Sequence, residues 1–132
     1  MVVRQDKSGG GLDMKKILIV DDSISVSRRL EKIIVSTGEF EVMDRAKNGA
    51  EAIMKYQAGH PDIVCMDMNM PTMDGLTALR SLIAFDQNAK IVMVTSLGGV
   101  SDKFTEAMKL GARNVICKPF EADDVLRILR EV

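Results

Sequence analysis

The sequence predicts an α/β fold, a doubly wound parallel sheet of five strands covered by helices on both faces. Three features predict it: short apolar runs that recur along the chain, helical patterns between them, and glycines where those helices should stop. Four runs, Ile17–Val20, Ile63–Met66, Ile91–Val94 and Val115–Cys117, are nearly continuous in hydrophobicity and bounded by polar residues. Strands buried on both faces read this way. A fifth, Phe40-Glu41-Val42, alternates as an edge strand does. Between the runs, Val26, Leu30, Ile33 and Ile34 share one helical face, and so do Val100, Phe104, Ala107 and Met108. Val125, Ile128, Leu129 and Val132 repeat the pattern at the end of the chain. Gly38, Gly59 and Gly111 stand where helices should end, and Pro61 reinforces the second stop. Strand and helix thus alternate five times, which implies right-handed crossovers between parallel strands.

A chain of 132 residues has room for one domain with a full core. The composition suggests a division into an N-terminal extension, residues 1–13, and a domain over 14–132. Ser8-Gly9-Gly10-Gly11 reads as a flexible stretch, and Met14-Lys15-Lys16 as a second start just before the first strand. Apolar residues make up 46% and charged residues 28%, ordinary globular values. A net charge of -1 gives no reason to expect a nucleic-acid or polyanion binder. No run approaches the roughly 20 apolar residues of a membrane span, and the polar start lacks a secretion signal's apolar core. The two cysteines, Cys65 and Cys117, lie in apolar runs without metal-ligand spacing. Both read as small buried hydrophobes, in keeping with a reducing cytoplasm.

In such sheets ligands gather beyond the carboxyl ends of the strands. The first strand is followed by Asp21-Asp22, the third by Asp67, the fourth by Thr95-Ser96 and the fifth by Lys118-Pro119. Three carboxylates, a hydroxyl and a lysine therefore converge on one rim. Carboxylates sharing a site repel one another. A hard divalent cation offsets that repulsion, and Mg²⁺ takes one or two carboxylates together with phosphate oxygens. Lys118 adds a compact positive charge suited to a phosphoryl oxygen, and Thr95 a donor. These parts suit phosphoryl transfer to a carboxylate. Asp67 is the candidate nucleophile because it stands alone on the central strand, whereas Asp21 and Asp22 are adjacent and better placed to hold metal.

Each residue also has an ordinary reading. Asp22 or Ser23 would serve as a helix cap, Asp67 as a turn residue before Pro71, and Thr95 or Ser96 as a turn cap. Lys118 would be a solvated surface lysine and His60 a plain loop residue between Gly59 and Pro61. Met66, Met68, Met70 and Met73 would be packing. The coincidence of four complementary strand ends outweighs these readings for the rim.

Ile17 through Ser23, Asp67 through Met70-Pro71 to Met73-Asp74-Gly75, Val94-Thr95-Ser96 and Lys118-Pro119-Phe120 together resemble the receiver domain family of response regulators. The resemblance runs from about Lys15 to the last residue. It implies a flavodoxin-like fold with strand order 2-1-3-4-5. It also implies that Asp67 takes a phosphoryl group from a phosphohistidine of a histidine kinase. Asp22 would bind Mg²⁺ directly, Asp21 through water and Asn69 through its backbone carbonyl. Lys118 would pair with the phosphoryl group, with its bond to Pro119 cis. Thr95 would swing toward the phosphate and report to an output face made by the fourth and fifth helices and the strand between them. The output partner would be a protein such as a flagellar motor component or a phosphatase. The chain ends just after the fifth helix, which suggests a free-standing chemotaxis-type regulator; Val92-Met93-Val94-Thr95-Ser96-Leu97 also resembles receivers of chemotaxis methylesterases.

One position departs from the family pattern. Three residues before the lysine the family usually has Tyr or Phe, and here stands Val115. Valine has no ring to expose or bury. Thr95 with Leu97-Gly98-Gly99, or another surface, would then carry the signal. Two other function classes fit less well. Aspartyl-nucleophile phosphohydrolases generally carry a second Asp two residues after the first, where this chain has Asn69, which cannot transfer the proton. A flavin carrier needs a non-acidic phosphate loop and aromatics, but Asp21-Asp22 follows the first strand, and the chain has no Trp and 1 Tyr.

Overall fold

The computed structural model describes residues 14–70, 73–96 and 101–132. The expectations placed on Met1 to Asp13, Pro71, Leu97-Gly98-Gly99 and Val100 lie outside the described residues. Five strands alternate with five helices. They are β1 (Lys15–Val20), α1 (Ile24–Val35), β2 (Phe40–Ala46), α2 (Gly49–Gly59), β3 (Ile63–Asp67), α3 (Gly75–Phe85), β4 (Ile91–Thr95), α4 (Ser101–Leu110), β5 (Asn114–Cys117) and α5 (Ala122–Glu131). All pairings are parallel, in the order β2-β1-β3-β4-β5 that the resemblance implied.

Side-chain alternation along each strand divides the core into two layers. Leu18, Val20, Val64, Met66, Ile91, Met93 and Val115 point to one face, where Ala52 and Tyr56 of α2, Leu79 and Leu82 of α3 and Ala107 of α4 meet them. Ile17, Ile19, Ile63, Cys65, Val92, Val94 and Ile116 point to the other, under Leu30 and Ile34 of α1 and Val125 and Leu129 of α5. The central strands are buried on both sides, which explains their unbroken hydrophobicity. Each fully buried aliphatic side chain contributes about 1.5–3 kcal/mol to this arrangement.

The structure departs from the sequence expectations at five points. β2 runs to Ala46, well past Val42, because an edge strand tolerates the polar Asp44 and Arg45 on its open side. It carries a bulge at Met43, since Ile17 pairs with Val42 and Leu18 with Asp44. Phe104 and Met108 of α4 do not face the sheet: they are 46% and 37% exposed, while Ala107 is fully buried. Side chains i and i+3 lie on the same face of a helix, and the pair that meets the sheet is Ala107 with Leu110. The left-handed residue that ends α2 is His60 (φ 46), one position beyond Gly59. His60 is thus a helix cap, with its ring 6.4 Å from Phe85 in a stack and 5.9 Å from Tyr56 edge-on. Cys117 is exposed, whereas Cys65 is buried and its thiol is pushed up to about 12 by desolvation. Cys117 ends the edge strand β5, two residues beyond Val115, the last residue of that strand buried on the same face.

Helix termini place the loops of the rim. Ser23 caps α1 by accepting from the Val26 amide at 3.3 Å, and Asp74 caps α3 through the Thr77 amide at 2.8 Å. That bond to Thr77 holds the Asp74 carboxyl below its usual range. The contrast between layers and surface is open to measurement by urea unfolding. Leu82→Ala is expected to cost about 3 kcal/mol, and Met108→Ala less than ~0.5 kcal/mol despite its place in the apolar pattern.

Candidate functional site

The carboxyl ends of β1, β3, β4 and β5 meet at one edge of the sheet. Asp21 follows β1 and stays in line through its own amide, which donates to the Ala46 carbonyl at 3.0 Å. Its Oδ1 accepts from the Ser23 amide at 2.9 Å, turning the chain into α1. That turn leaves Asp22 exposed and Asp21 buried. Ser23, not Asp22, therefore takes the capping role, so Asp22 is not engaged as a cap.

Asp67 is the last residue of β3 and only 4% exposed. Beyond it the backbone stays tied to the sheet by the Met68 amide, which donates to the Val94 carbonyl at 2.8 Å. The Asn69 amide turns back to Asp67 Oδ1 at 3.2 Å. Gly75 closes the loop, its amide donating to the Met68 carbonyl at 3.0 Å. A Cβ at Gly75 would lie 2.3 Å from the Asp67 carbonyl oxygen and 2.7 Å from Met68 Cα. No L side chain fits there, so α3 starts against the backbone of the candidate nucleophile only because this residue is glycine. The Asp74-Gly75 pair was visible in the sequence; its contact with Asp67 was not.

Lys118 reaches the same point from β5. Its Nζ lies 3.5 Å from Asp21 Oδ2 and 3.5 Å from Asp67 Oδ1. Its amide donates to the Thr95 carbonyl at 2.6 Å, and the Lys118–Pro119 bond is cis, as the resemblance implied. Thr95, 7% exposed, ends β4 beside Cys117. Ser96 and Asn69 are exposed. The structure thus brings together Asp21, Asp22, Asp67, Thr95 and Lys118, with Asn69 at the margin through its backbone.

Burial pushes the Asp67 carboxyl above its usual range, and the nearby Asp21 charge adds to the rise. The Asn69 amide and Lys118 pull in the other direction without cancelling it. Oxygens of Asp21, Asp22 and Asp67 lie within 4.8 Å of one another. An all-oxygen donor set, part buried and part open to water, fits a hard divalent cation that keeps some of its waters.

Comparison with known proteins agrees with this geometry. The family model of the response regulator receiver domain matches residues 17–130. This chain is a response regulator receiver domain. It is 45% identical over 118 residues to the chemotaxis protein CheY of Listeria monocytogenes, covering 89% of this chain and 98% of that one. It is 43% identical over 122 residues to the protein-glutamate methylesterase/protein-glutamine glutaminase 3 of Rhodospirillum rubrum, covering 90% of this chain but 32% of that protein. Among solved structures, the CheX-CheY-BeF3-Mg+2 complex of Borrelia burgdorferi superposes with a TM-score of 0.83 and 34% identity, over 89% of this chain and 87% of that one. The receiver is therefore of the chemotaxis type, a signalling module.

The raised pKa of Asp67 has a stability consequence. The folded state binds this proton more tightly than the unfolded state, so stability falls as pH rises from the unfolded pKa through the folded one. Above that window the full cost of a buried charge is present. Asp67→Asn removes it and is expected to raise Tm at pH 7, in metal-free buffer, by about 4 °C, the shift produced by ~1 kcal/mol in a domain of this size. The gain should vanish below about pH 3.5, where both states protonate Asp67. A melting series from pH 3 to 8 checks both the sign and the window.

Proposed function

We propose that a histidine kinase phosphorylates this receiver on Asp67 and that the modification switches its binding to an output protein. The observation that carries the reading is the burial of Asp67 beside Asp21 with Lys118 3.5 Å from both carboxylates. Asp21, Asp22, Asp67 and the Asn69 carbonyl would hold Mg²⁺. When bound, that ion neutralises the carboxylates and the incoming phosphoryl oxygens so that they can approach.

Asp67 supplies the nucleophilic oxygen. As its bond to phosphorus forms, the bond from phosphorus to the imidazole nitrogen breaks and its electron pair stays on that nitrogen; with the other ring nitrogen carrying a proton, the histidine leaves as neutral imidazole. Lys118 exchanges its two carboxylates for a phosphoryl oxygen, and the Thr95 hydroxyl donates to another. Asn69 offers an amide where an aspartyl phosphohydrolase has its proton-transferring acid, so hydrolysis lacks a general base there and the phosphoryl group persists. The domain then shifts toward the state that best pairs the added charge. The kinase and an output protein such as a flagellar motor component or phosphatase would be its partners, in the cytoplasm. The match to about a third of a methylesterase supports a second setting, in which this receiver is one module of a longer regulator.

Intact mass after exposure to a small phosphodonor tests the chemistry. Wild type with Mg²⁺ is expected to gain one phosphoryl group, and wild type without Mg²⁺ or Asp67→Asn with it none. An unmodified wild type with its fold intact would refute the proposal.

Val115 bears on the output. It is buried in the layer that also holds Ala107 of α4, and valine has no ring to move between positions. Introducing Val115→Tyr is expected to leave phosphorylation by the small donor within about twofold of wild type while changing the phosphorylation-dependent gain in affinity for the output partner by about tenfold. Paired titrations of phosphorylated and unphosphorylated protein measure that gain; an unaltered gain would place the read-out elsewhere.

A further inference from the structure

We infer that Arg29 is a positioning residue for Lys118, holding the loop that aims its ammonium at the acidic site. This rests on Lys118 being the cation that meets the phosphoryl group. Arg29 lies on α1, whose first turn follows directly from Asp21 and Asp22. Its Nη2 donates to the Phe120 carbonyl at 3.1 Å, and its guanidinium carbon stands 5.0 Å from the centroid of the Phe120 ring, over its face. One planar group thus grips the same residue by its backbone and its ring.

Phe120 is 4% exposed and packs in the layer beneath α1 and α5. Only Pro119 separates it from Lys118. The entry to α5 has no side-chain cap of its own, since Glu121 makes no such bond. The 118–120 segment is therefore fixed at one end by the Lys118 amide on the Thr95 carbonyl and at the other by Arg29. Lys118 must span to two carboxylates 3.5 Å from its Nζ, and small shifts of its backbone change that reach. Helix α1 consequently links the loop of Asp21 and Asp22 to the loop of Lys118.

Loss of this grip should weaken phosphoryl-group binding and leave cation binding alone, because Lys118 repels rather than holds a divalent ion. A role in stability only would weaken both or neither. The test uses the full chain, with Mg²⁺ titrated alone and fluoroberyllate titrated at saturating Mg²⁺, both by calorimetry. Arg29→Ala is expected to lower fluoroberyllate affinity about tenfold with Mg²⁺ affinity kept within about twofold, and Arg29→Lys to recover roughly half of that loss on a logarithmic scale. Arg29→Met, which keeps the stem over the ring, takes the place of Arg29→Ala should the latter melt at assay temperature. In a Lys118→Ala background the Arg29 change is expected to have no further effect.

Equal effects of Arg29→Ala on both affinities, or none on either, would overturn the inference. So would an additive effect in the Lys118→Ala background. If instead Lys118→Ala itself binds fluoroberyllate as wild type does, the fault lies with the proposed role of Lys118 rather than with Arg29. A wild type that binds no fluoroberyllate with Mg²⁺ would count against the proposed function as a whole.

Discussion

The pairing of a single ammonium, Lys118, with the carboxylates of Asp21 and Asp67 is the interaction on which the rest of this site depends. Two nearly buried carboxylates at one sheet edge repel each other and lose water, and both effects disfavour the charged form of Asp67. Lys118 lessens that cost from one side, and the Asn69 and Ser23 amides lessen it from others. The compensation is incomplete, as the upward displacement of the Asp67 carboxyl indicates. A site left under-neutralised in this way has a standing affinity for a further positive charge. Stability has been given up where binding needs it.

Holding that charge cluster is a task for backbone as much as for side chains. Asp67 ends a strand that is hydrogen-bonded on both sides, so its position has little freedom. The loop after it folds back at once, and α3 presses its first residue, Gly75, against the Asp67 carbonyl. On the other side Asp21 lies between β1 and the capped start of α1. Lys118 comes from the sheet edge through a short segment gripped from α1. Three loops from separate strands thus converge because their anchors are rigid, while the exposed Asp22, Asn69 and Ser96 remain free to meet incoming groups from solvent.

Much of this was legible in the sequence, for physical reasons that can be stated. Central strands of a covered parallel sheet must be apolar on both faces, so Ile17–Val20, Ile63–Met66 and Ile91–Val94 stood out, and the polar residues that follow them marked the rim. Periodicity was less informative for α4. It says which side chains share a face, not how that face meets the sheet, so it places Phe104 and Met108 inward along with Ala107, whereas it is Leu110 that joins Ala107 there. Hydrophobic neighbours likewise made Cys117 look buried, although its place at the end of an outer strand exposes it. Long-range contacts left no local trace. Arg29 and Phe120 lie 91 residues apart, and nothing in a helical arginine announces the ring it covers.

Counting charges explains why one lysine is enough and why it must move. With Asp67 ionised, the three carboxylates and the ammonium sum to -2 at the rim. One divalent cation brings that to zero, which is the condition for an anionic phosphoryl donor to enter without repulsion. On the proposed reading, transfer to Asp67 would replace its single charge with roughly 1.5 to 2 negative charges, so the site would become negative again by up to about one unit. Donors must then be redirected toward the new oxygens. Lys118 can leave Asp21 and Asp67 for a phosphoryl oxygen, and Thr95, buried at the end of the neighbouring strand, can offer its hydroxyl to another. Both sit at the carboxyl ends of β4 and β5, so any rearrangement they make is passed to the elements that flank those strands. Burying the proposed acceptor would therefore serve the signal as well as the chemistry: in open water the added charge would be solvated in place, and nothing around it would need to move.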